Sequence, residues 1–395
     1  MLSATRDLPL ATAMVGSYPR PRWFDRSLGG RDFRLALGDD EVFREQYLDA
    51  VAVCVSDQER AGLDVLTDGD ARFDLSVGGK AWWDYVAERL EGIVSQGTGS
   101  EAFARFSPRP GQILWEVRES MPAKVVVDRL ARGPLRFADL WRAAQRMSAK
   151  PVKFGTISAQ VLAGRLRNEH YPTDRELLFD LCDILNAELR ELAAAGCPVI
   201  QVEEPSHHTL ALQPSTTAAD LRLQTEAVNR LVRGVQAELW VHTCWGNPNQ
   251  QRLYWAVPSY PPAAVEELLQ LDADVVTFEC ASSEGRDFSC FGRYRTDKKI
   301  GIGVVSHTTT TVEPPDVVAG LIRKALEHIP PERLVLTTDC GFGREGISRR
   351  IAFYKCVALV QGANLVRREL GLPEALVRAA DPRLAFDFGA GAAQR

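Results

Sequence analysis

Residues 238–244 read ELWVHTC, a short apolar run that ends in a histidine and a cysteine. Runs of the same kind recur along the 395 residues, at 11–16, 63–67, 151–156, 198–203, 274–279, 300–305 and 334–339. Runs this short and this apolar are typical of strands that are buried on both faces of a parallel sheet. With residues 238–243, they predict eight such strands.

Amphipathic helical patterns separate these runs. The clearest cover residues 40–61, 173–195, 216–236, 314–328 and 344–370. Eight strands that alternate with helices indicate an α/β fold, and specifically a (β/α)8 TIM barrel. A doubly wound open sheet is the alternative. We favour the barrel because polar side chains follow nearly every run at its carboxyl end, where such barrels carry their active sites.

Two segments interrupt this alternation. Residues from about 94 to 132 contain ILWEVRE and AKVVVDRL, separated by SMP, and predict a β-hairpin inserted after the second strand. Such a hairpin could cover the barrel mouth. The tail from about residue 381 is rich in glycine and alanine, so we expect it to be flexible. No stretch has the composition of a linker, and we expect residues 1–395 to form a single barrel domain.

Composition and charge limit the classes of partner. The 47 basic and 52 acidic residues give a formal net charge of −5 without a basic block, so we expect no nucleic acid partner. The sequence has no run of 18 or more apolar residues and no signal-like amino terminus. We therefore expect a cytoplasmic protein that does not enter a membrane. Its eight scattered cysteines suit reduced thiols.

Four residues at strand ends could hold a metal ion. His242 and Cys244 are two residues apart, so both side chains point to the same face of one strand. Glu279 ends the sixth run, and Cys340 follows the eighth. One imidazole, two thiolates and one carboxylate are typical of tetrahedral zinc, whereas magnesium prefers oxygen ligands alone. A buried cysteine and a hydrogen-bonded core histidine are the structural alternative for the first pair.

The carboxylate gives this predicted site its chemistry. An incoming thiol could displace Glu279, which is a weaker ligand than a third cysteine, and lose its proton in the field of the metal. The resulting thiolate is a nucleophile. Cys280 and Cys290 are alternative ligands, but Cys280 should point away from Glu279 and Cys290 lies in the following loop.

Other polar residues end or follow the remaining strands. Ser17 follows the first run, Asp70 the second, and Glu203 ends the fourth. Carboxylates that converge on a barrel mouth suit an ammonium group, such as that of an amino-acid thiol. For the neighbouring Asp68 and Glu204 we favour a structural role, as helix caps or partners of arginine.

His307 follows the seventh run. An imidazole at the barrel mouth could give a proton to a leaving group, or it could hydrogen-bond a carboxylate. We favour the role in catalysis.

These motifs occur in an order that resembles a known family. The stretches MVGSYPRP (14–21), GLDVLTDGDARFD (62–74), GCPVIQVEEP (196–205), HTC (242–244) and TTDCGFG (337–343) together resemble the catalytic half of cobalamin-independent methionine synthase, over about residues 12–365. The resemblance implies a barrel in which zinc binds homocysteine as a thiolate that attacks a methyl group. It also implies roles for eight residues: zinc ligation by His242, Cys244, Glu279 and Cys340, binding of the amino-acid backbone by Ser17, Asp70 and Glu203, and proton donation by His307.

The sequence departs from the family pattern at three points. At 395 residues it leaves no room for the second barrel with which the two-barrel enzymes help to hold methylfolate. Asp70 replaces the usual glutamate and Glu203 the usual aspartate, which moves each charge by about 1 to 1.5 Å. The tract HTCWGNPNQQ resembles the single-barrel relatives, some of which use a corrinoid protein as methyl donor or open epoxides with coenzyme M.

We therefore expect a zinc-dependent methyl or alkyl transferase that acts on a thiol, with homocysteine to methionine as the leading case. We expect the alkyl donor to be methylfolate, a methyl-corrinoid protein or an epoxide. The sequence is also compatible with a homo-oligomer. Coenzyme M is the alternative thiol, and its sulfonate would require Arg20, Arg72 or Lys153 in the pocket. A zinc hydrolase ranks below both, because two thiolates make zinc a poorer Lewis acid than three histidines would.

Overall fold

The structure is a computed structural model, and it describes residues 2–21, 23–24, 41–72, 84–97, 109–112, 115, 122–246, 259–343 and 347–380. The strands within these residues are β1 (Ala11–Thr12), β2 (Leu66–Thr67), β3 (Glu91–Gln96), β4 (Ala123–Ala131), β5 (Val152–Ile157), β6 (Leu166–Asn168), β7 (Val199–Glu203), β8 (Glu238–Thr243), β9 (Val275–Phe278), β10 (Lys299–Val305) and β11 (Leu334–Thr338). Eight of them form one sheet in the order β1-β11-β10-β9-β8-β7-β5-β2.

This eight-stranded sheet is parallel and closes on itself. A parallel bridge between Ala13 and Val65 joins the segments of β1 and β2, which stand at the two ends of the strand order. The backbone N–H of Val65 donates to the carbonyl of Thr12 across this junction (3.0 Å). Each of the eight predicted runs overlaps one of the strands of this sheet. The (β/α)8 barrel predicted from the sequence is therefore confirmed, and the open-sheet alternative is wrong.

Helices follow the strands of the barrel. Within the described residues they are α1 (Glu41–Ala61), α2 (Asp84–Ala87), α3 (Phe137–Gln145), α4 (Ala159–Ala163), α5 (Asp174–Ala194), α6 (Ser206–Ala211), α7 (Ala218–Leu231), α8 (Pro262–Leu268), α9 (Phe288–Arg293), α10 (Pro315–Leu326) and α11 (Arg349–Glu369). The side chain of Thr217 caps α7 by accepting a hydrogen bond from the backbone N–H of Asp220. None of the helices in the described part of the chain is long and apolar enough to cross a membrane.

A small second sheet, in the order β3-β4-β6, confirms the inserted hairpin but corrects its first strand. β4 is the predicted AKVVVDRL stretch, and it pairs in antiparallel fashion with β3. The predicted partner, ILWEVRE, lies outside the described residues except for Trp115. β3 was missed because its side chains are largely exposed, which gives EGIVSQ no clear apolar alternation. The tail from residue 381 also lies outside the described residues, and the single-domain assignment stays a prediction.

The interior of the barrel is filled by side chains at its amino-terminal end. Strands β7, β8, β9 and β11 and the segments of β1 and β2 contribute to one buried cluster: Ala13, Val65, Val199, Trp240, Val275 and Val335. Leu2 and Ala4 pack against this cluster. The amino-terminal segment therefore closes the floor of the barrel, and the predicted metal ligands His242 and Cys244 lie at the opposite end of β8.

The carboxylate of Glu238 fastens the amino-terminal segment to the floor. Its Oε2 accepts hydrogen bonds from the backbone N–H groups of Ser3, Ala4 and Thr5 (2.9, 2.6 and 3.0 Å). Its Oε1 accepts hydrogen bonds from the hydroxyl of Thr5 (2.6 Å) and from the indole of Trp240 (2.8 Å). Five donors thus satisfy a carboxylate that is fully buried.

Candidate metal centre and acceptor pocket

His242, Cys244 and Cys340 form a compact buried triad. One ligand atom from each residue lies within 4.8 Å of those of the other two. The two Sγ atoms are 3.7 Å apart, far longer than a disulfide bond. Two thiolates bound at about 2.3 Å to one tetrahedral zinc would be about 3.8 Å apart. The triad, which we call the thiolate triad, therefore has the donors and the spacing to hold a zinc ion.

Neighbouring strands orient the imidazole of His242. Its Nδ1 lies 2.8 Å from Oγ1 of Thr277, the residue opposite it in the register of β8 and β9. A hydrogen bond at one ring nitrogen fixes the ring and leaves the other nitrogen to face a metal. That other nitrogen, Nε2, lies 3.8 Å from Oε2 of Glu203 on the opposite side. The thiolate triad therefore lies beside one of the predicted substrate-binding carboxylates.

Glu279, the fourth predicted ligand, belongs to a second cluster. One oxygen of its carboxylate lies within 4.8 Å of ligand atoms of His307 and Asp339. Its Oε2 accepts a hydrogen bond from the backbone N–H of Trp245 (3.0 Å), and its Oε1 accepts one from the hydroxyl of Ser282 (2.6 Å). The structure therefore brings Glu279 together with His307, next to the chain segment that carries the triad.

Asp339 is a residue of this second cluster that the sequence interpretation missed. Its carboxylate accepts hydrogen bonds from the backbone N–H groups of Cys280, Ala281 and Ser282 (2.8, 2.8 and 2.7 Å). Burial, and then the charge of Glu279, raise the pKa of Asp339 to about 7. The carboxylate holds the turn that follows Glu279, and its place directly before Cys340 was the only signal in the sequence.

The loop that carries Ser17 packs tightly on the loop that follows β11. The carbonyl of Ser17 accepts hydrogen bonds from the backbone N–H groups of Phe342 (2.8 Å) and Gly343 (3.0 Å). Gly16 has a positive φ of 63°, and a Cβ on it would lie 2.9 Å from the Cα of Gly341. The hydroxyl of Ser17 is buried and has no hydrogen-bond partner within the described residues. This hydroxyl is therefore available to a polar group of a ligand.

Asp70 shares a buried arginine with Asp68. Nη1 of Arg72 donates to Oδ1 of Asp70 (3.0 Å) and to Oδ2 of Asp68 (3.1 Å). The guanidinium also donates to the carbonyl of Gly155 and lies over the ring of Phe154, 4.3 Å from its centroid. Burial raises the pKa of Asp70 to about 6, although the charge of Arg72 opposes this shift. The predicted structural role of Asp68 agrees with these contacts, and Asp70 is held by the same cation.

Glu203 ends a row of buried polar side chains. Nε2 of Gln201 donates to its Oε1, and Oε1 of Gln201 accepts a hydrogen bond from Nζ of Lys153 (2.5 Å). Lys153 also donates to the carbonyl of Met14 (2.8 Å) and lies over the ring of Trp240, 4.4 Å from its centroid. Burial lowers the pKa of Lys153 to about 7, although the nearby Glu203 and Asp70 carboxylates oppose this shift.

The remaining candidates have structural roles. Glu204 accepts hydrogen bonds from the backbone N–H of Ser206 (3.0 Å) and lies 2.7 Å from Nδ1 of His207, as expected for a residue that supports the start of α6. Burial raises the pKa of the thiols of Cys280 and Cys290. Neither cysteine belongs to a potential metal-binding group within the residues that the structure describes.

Comparisons with known proteins show the family of the chain. Residues 10–361 match the family described as cobalamin-independent synthase, catalytic domain. Two proteins named methionine synthase, from Saccharolobus solfataricus and Thermococcus kodakarensis, are 31% and 30% identical to the chain over 361 and 365 residues. These alignments cover 91% and 92% of the chain and 96% of each relative. The structure of a B12-independent methionine synthase from Shewanella sp. W3-18-1, in complex with selenomethionine, is similar with a TM-score of 0.72 and 23% identity, over 92% of this chain and 99% of that one.

Proposed function

Because this chain belongs to the cobalamin-independent methionine synthase family, we propose that it is a zinc-dependent methyltransferase whose acceptor is the thiol of homocysteine. Membership of the family supports a methyltransferase. The zinc ion and the acceptor are our proposal. The observation that carries them is the thiolate triad, whose two Sγ atoms are 3.7 Å apart beside the carboxylate of Glu203.

The residues of the triad would hold the metal through Nε2 of His242 and the thiolates of Cys244 and Cys340. A bound zinc ion would lower the pKa of an acceptor thiol, so that the nucleophilic thiolate forms at neutral pH. We propose Glu279 as the fourth ligand. Its hydrogen bonds with Trp245 and Ser282 keep the carboxylate in place whether or not it contacts the metal.

The acceptor pocket would bind the amino-acid part of the thiol. Asp70 and Glu203 offer carboxylate oxygens to an ammonium group, and the buried hydroxyl of Ser17 offers a hydrogen bond to a carboxylate. Holding the acceptor at two points aligns its sulfur with the alkyl carbon of the donor. His307, which lies beside Glu279, would protonate the departing group.

The charges of the pocket favour homocysteine over coenzyme M. Of the three cations that could receive a sulfonate, Arg72 already pairs with two carboxylates and Lys153 already donates to a carbonyl and an amide. Arg20 lies over the ring of Phe24, 5.5 Å from its centroid. An acidic mouth whose nearest cations are occupied binds an ammonium better than a sulfonate.

A Cys340→Ala variant tests the metal centre. Removal of one of the four proposed ligands should abolish stoichiometric zinc binding, measured by metal analysis, and with it the transfer reaction. The assay follows the methylation of homocysteine by mass spectrometry, with methylfolate, methylcobalamin or a small epoxide as donor. We propose methylfolate as the donor. Cys182→Ala is the matched control. It replaces a buried cysteine on α5 that is not part of the thiolate triad, and the variant should keep its zinc.

Two outcomes would contradict this proposal. A Cys340→Ala protein with full zinc content and full activity would exclude the triad as the metal centre. An X-ray absorption spectrum of the zinc-loaded protein that does not change on addition of thiol would favour a hydrolase, because thiol activation requires a new zinc–sulfur bond.

A further inference from the structure

A row of three polar side chains crosses the interior of the barrel beside the thiolate triad. Lys153 on β5 donates to Oε1 of Gln201 on β7, and Nε2 of Gln201 donates to Oε1 of Glu203 on the same strand. Gln201 and Glu203 are two residues apart, so their side chains lie on the same face of β7. Both Lys153 and Gln201 are 1% exposed, so water does not compete for these contacts.

The chemistry of the two ends fixes the orientation of the Gln201 amide. A carboxylate can only accept hydrogen bonds, and Nζ of Lys153 donates to the amide at the other end. The amide oxygen must therefore face Lys153 and the amide nitrogen must face Glu203. A reversed amide would put two donors together at one end and two acceptors at the other. The hydrogen bonds of the row therefore have one stable direction: Lys153 donates to Gln201, and Gln201 donates to Glu203.

This direction fixes the carboxylate of Glu203 beside the thiolate triad. Its Oε1 accepts the hydrogen bond from Gln201, and its Oε2 lies 3.8 Å from Nε2 of His242. Glu203 is also the only member of the row that is not fully buried, with 13% of its side chain exposed. The row therefore holds a charged, partly exposed carboxylate next to the position where the acceptor sulfur would bind.

We propose that Gln201, with Lys153 behind it, is a positioning residue that dedicates Glu203 to the ammonium group of an α-amino-acid thiol. This inference rests on the proposed function, and it specifies the acceptor as an amino acid. It assigns to two residues of the barrel interior a role in the choice of acceptor. Neither residue touches the acceptor itself.

A pair of thiols separates positioning from general stability. Homocysteine and 4-mercaptobutanoate share the thiol, the chain length and the carboxylate, and only homocysteine carries the ammonium. Gln201→Met removes the amide and conserves volume. We expect it to raise the Kd of homocysteine about tenfold to a hundredfold, the usual effect of losing a hydrogen bond to a charged group. The Kd of 4-mercaptobutanoate should not change. Both are measured by calorimetry on the zinc-loaded protein, with zinc content checked in parallel.

Two further variants complete the experiment. Thr156→Val replaces a buried polar side chain on β5 whose hydroxyl has no hydrogen-bond partner within the described residues, and it should bind both thiols as the wild type does. If Gln201→Met does not fold, Gln201→Asn keeps the amide but shortens its reach by about 1.5 Å. It should weaken homocysteine binding in the same selective way.

Each contrary outcome is distinct. Equal weakening of both thiols by the Gln201 variants would show a merely structural role and overturn the inference. Equal affinity of the wild type for both thiols would overturn it while leaving thiol transfer intact. Failure of the wild type to bind either thiol would refute the proposed function, and the inference would fall with it.

Discussion

Asp70 has an unusual backbone for a residue with a side chain. Its φ is +50°, directly after Gly69 at +75°, and its backbone N–H donates to Oδ1 of Asp68 (2.9 Å). Left-handed conformations are costly for most residues, but aspartate tolerates them when its side chain is held locally. Arg72 supplies that restraint by binding both carboxylates. The turn thus holds the carboxylate of Asp70 against Arg72 at the cost of backbone strain.

The raised pKa of Asp70 predicts how ligand binding depends on pH. Asp70 is charged above its pKa of about 6 and neutral below it, so its attraction for an ammonium should fall as the pH decreases from 7 to 5. Methionine is the suitable probe because it has the ammonium but no thiol to titrate. An Asp70→Asn variant should bind methionine more weakly than the wild type at pH 7, and the ratio of the two Kd values should shrink toward pH 5. A ratio that is constant over this range would contradict the assignment.

The sequence was sufficient to predict some of the residues of the candidate site, but not others. His242, Cys244 and Cys340 are brought together as predicted, because strand ends on one rim of a barrel must converge. The role of Asp339 was not predictable, because its partners are backbone N–H groups of a turn 57 to 59 residues away. Gln201 was missed for a related reason. A neutral amide between two charged groups has no signature of its own in a sequence.

At the scale of elements, two loops act as one unit. The loop after β1 carries Ser17, the loop after β11 carries Cys340, and their glycines let the two backbones touch. A Cβ on Gly341 would overlap the backbone nitrogen of Ser17 and lie 3.0 Å from the carbonyl carbon of Gly16. A backbone cannot rotate away as a side chain can. The close approach therefore ties the loop of Ser17 to the loop of Cys340.

Gly341→Ala tests this coupling. We expect the variant to lose zinc affinity, measured by competition with a chelator, and to lose affinity for methionine as well, because both loops must shift. The matched control is Gly320→Ala on α10, where a Cβ would meet nothing within 4 Å. That change should leave both affinities intact and could stabilise the helix by up to about 1 kcal/mol. Loss of one affinity without the other would show that the loops move independently.

The predicted strand boundaries agree with the structure for some strands and not for others. The run at β8 matches the predicted bounds 238–243, because all six residues are buried. β1 and β2 have only two residues each, although longer runs were predicted there. Next to these strands, Ala13 and Val65 form only an isolated bridge, and after Ala13 and Thr67 the chain forms the loops that carry Ser17 and Asp70. An apolar run in the sequence indicates buried residues. Residues of these loops stay buried after strand pairing has ended, so the run alone does not mark the end of the strand.

For the whole molecule, stability and chemistry lie at opposite ends of the barrel. Glu238 gathers its donors at the floor, and the thiolate triad lies at the other end of the same strand, β8. Glu238→Gln turns one acceptor oxygen into a donor, which must face either the three backbone N–H groups at Oε2 or the indole N–H of Trp240 at Oε1. We expect it to lower the free energy of unfolding by about 1–3 kcal/mol, the cost of unsatisfied buried groups.

Urea denaturation measures this loss, and zinc affinity should not change because the metal centre does not contact Glu238. Glu226→Gln is the control, since Glu226 forms an exposed ion pair with Arg175 (3.0 Å) that contributes at most about 1 kcal/mol. If Glu238→Gln weakened zinc binding as much as it lowered stability, the two ends of the barrel would not be independent.

The floor of the barrel also sets an order of events during translation. Ser3, Ala4 and Thr5 bind a carboxylate that lies 235, 234 and 233 residues later in the chain. The ribosome must therefore add more than half of the protein before this segment has its partner. Until β8 emerges, Leu2 and Ala4 have no apolar cluster to pack against in full. A nascent chain that stops before β8 thus keeps an open floor, which exposes it to chaperones and proteases.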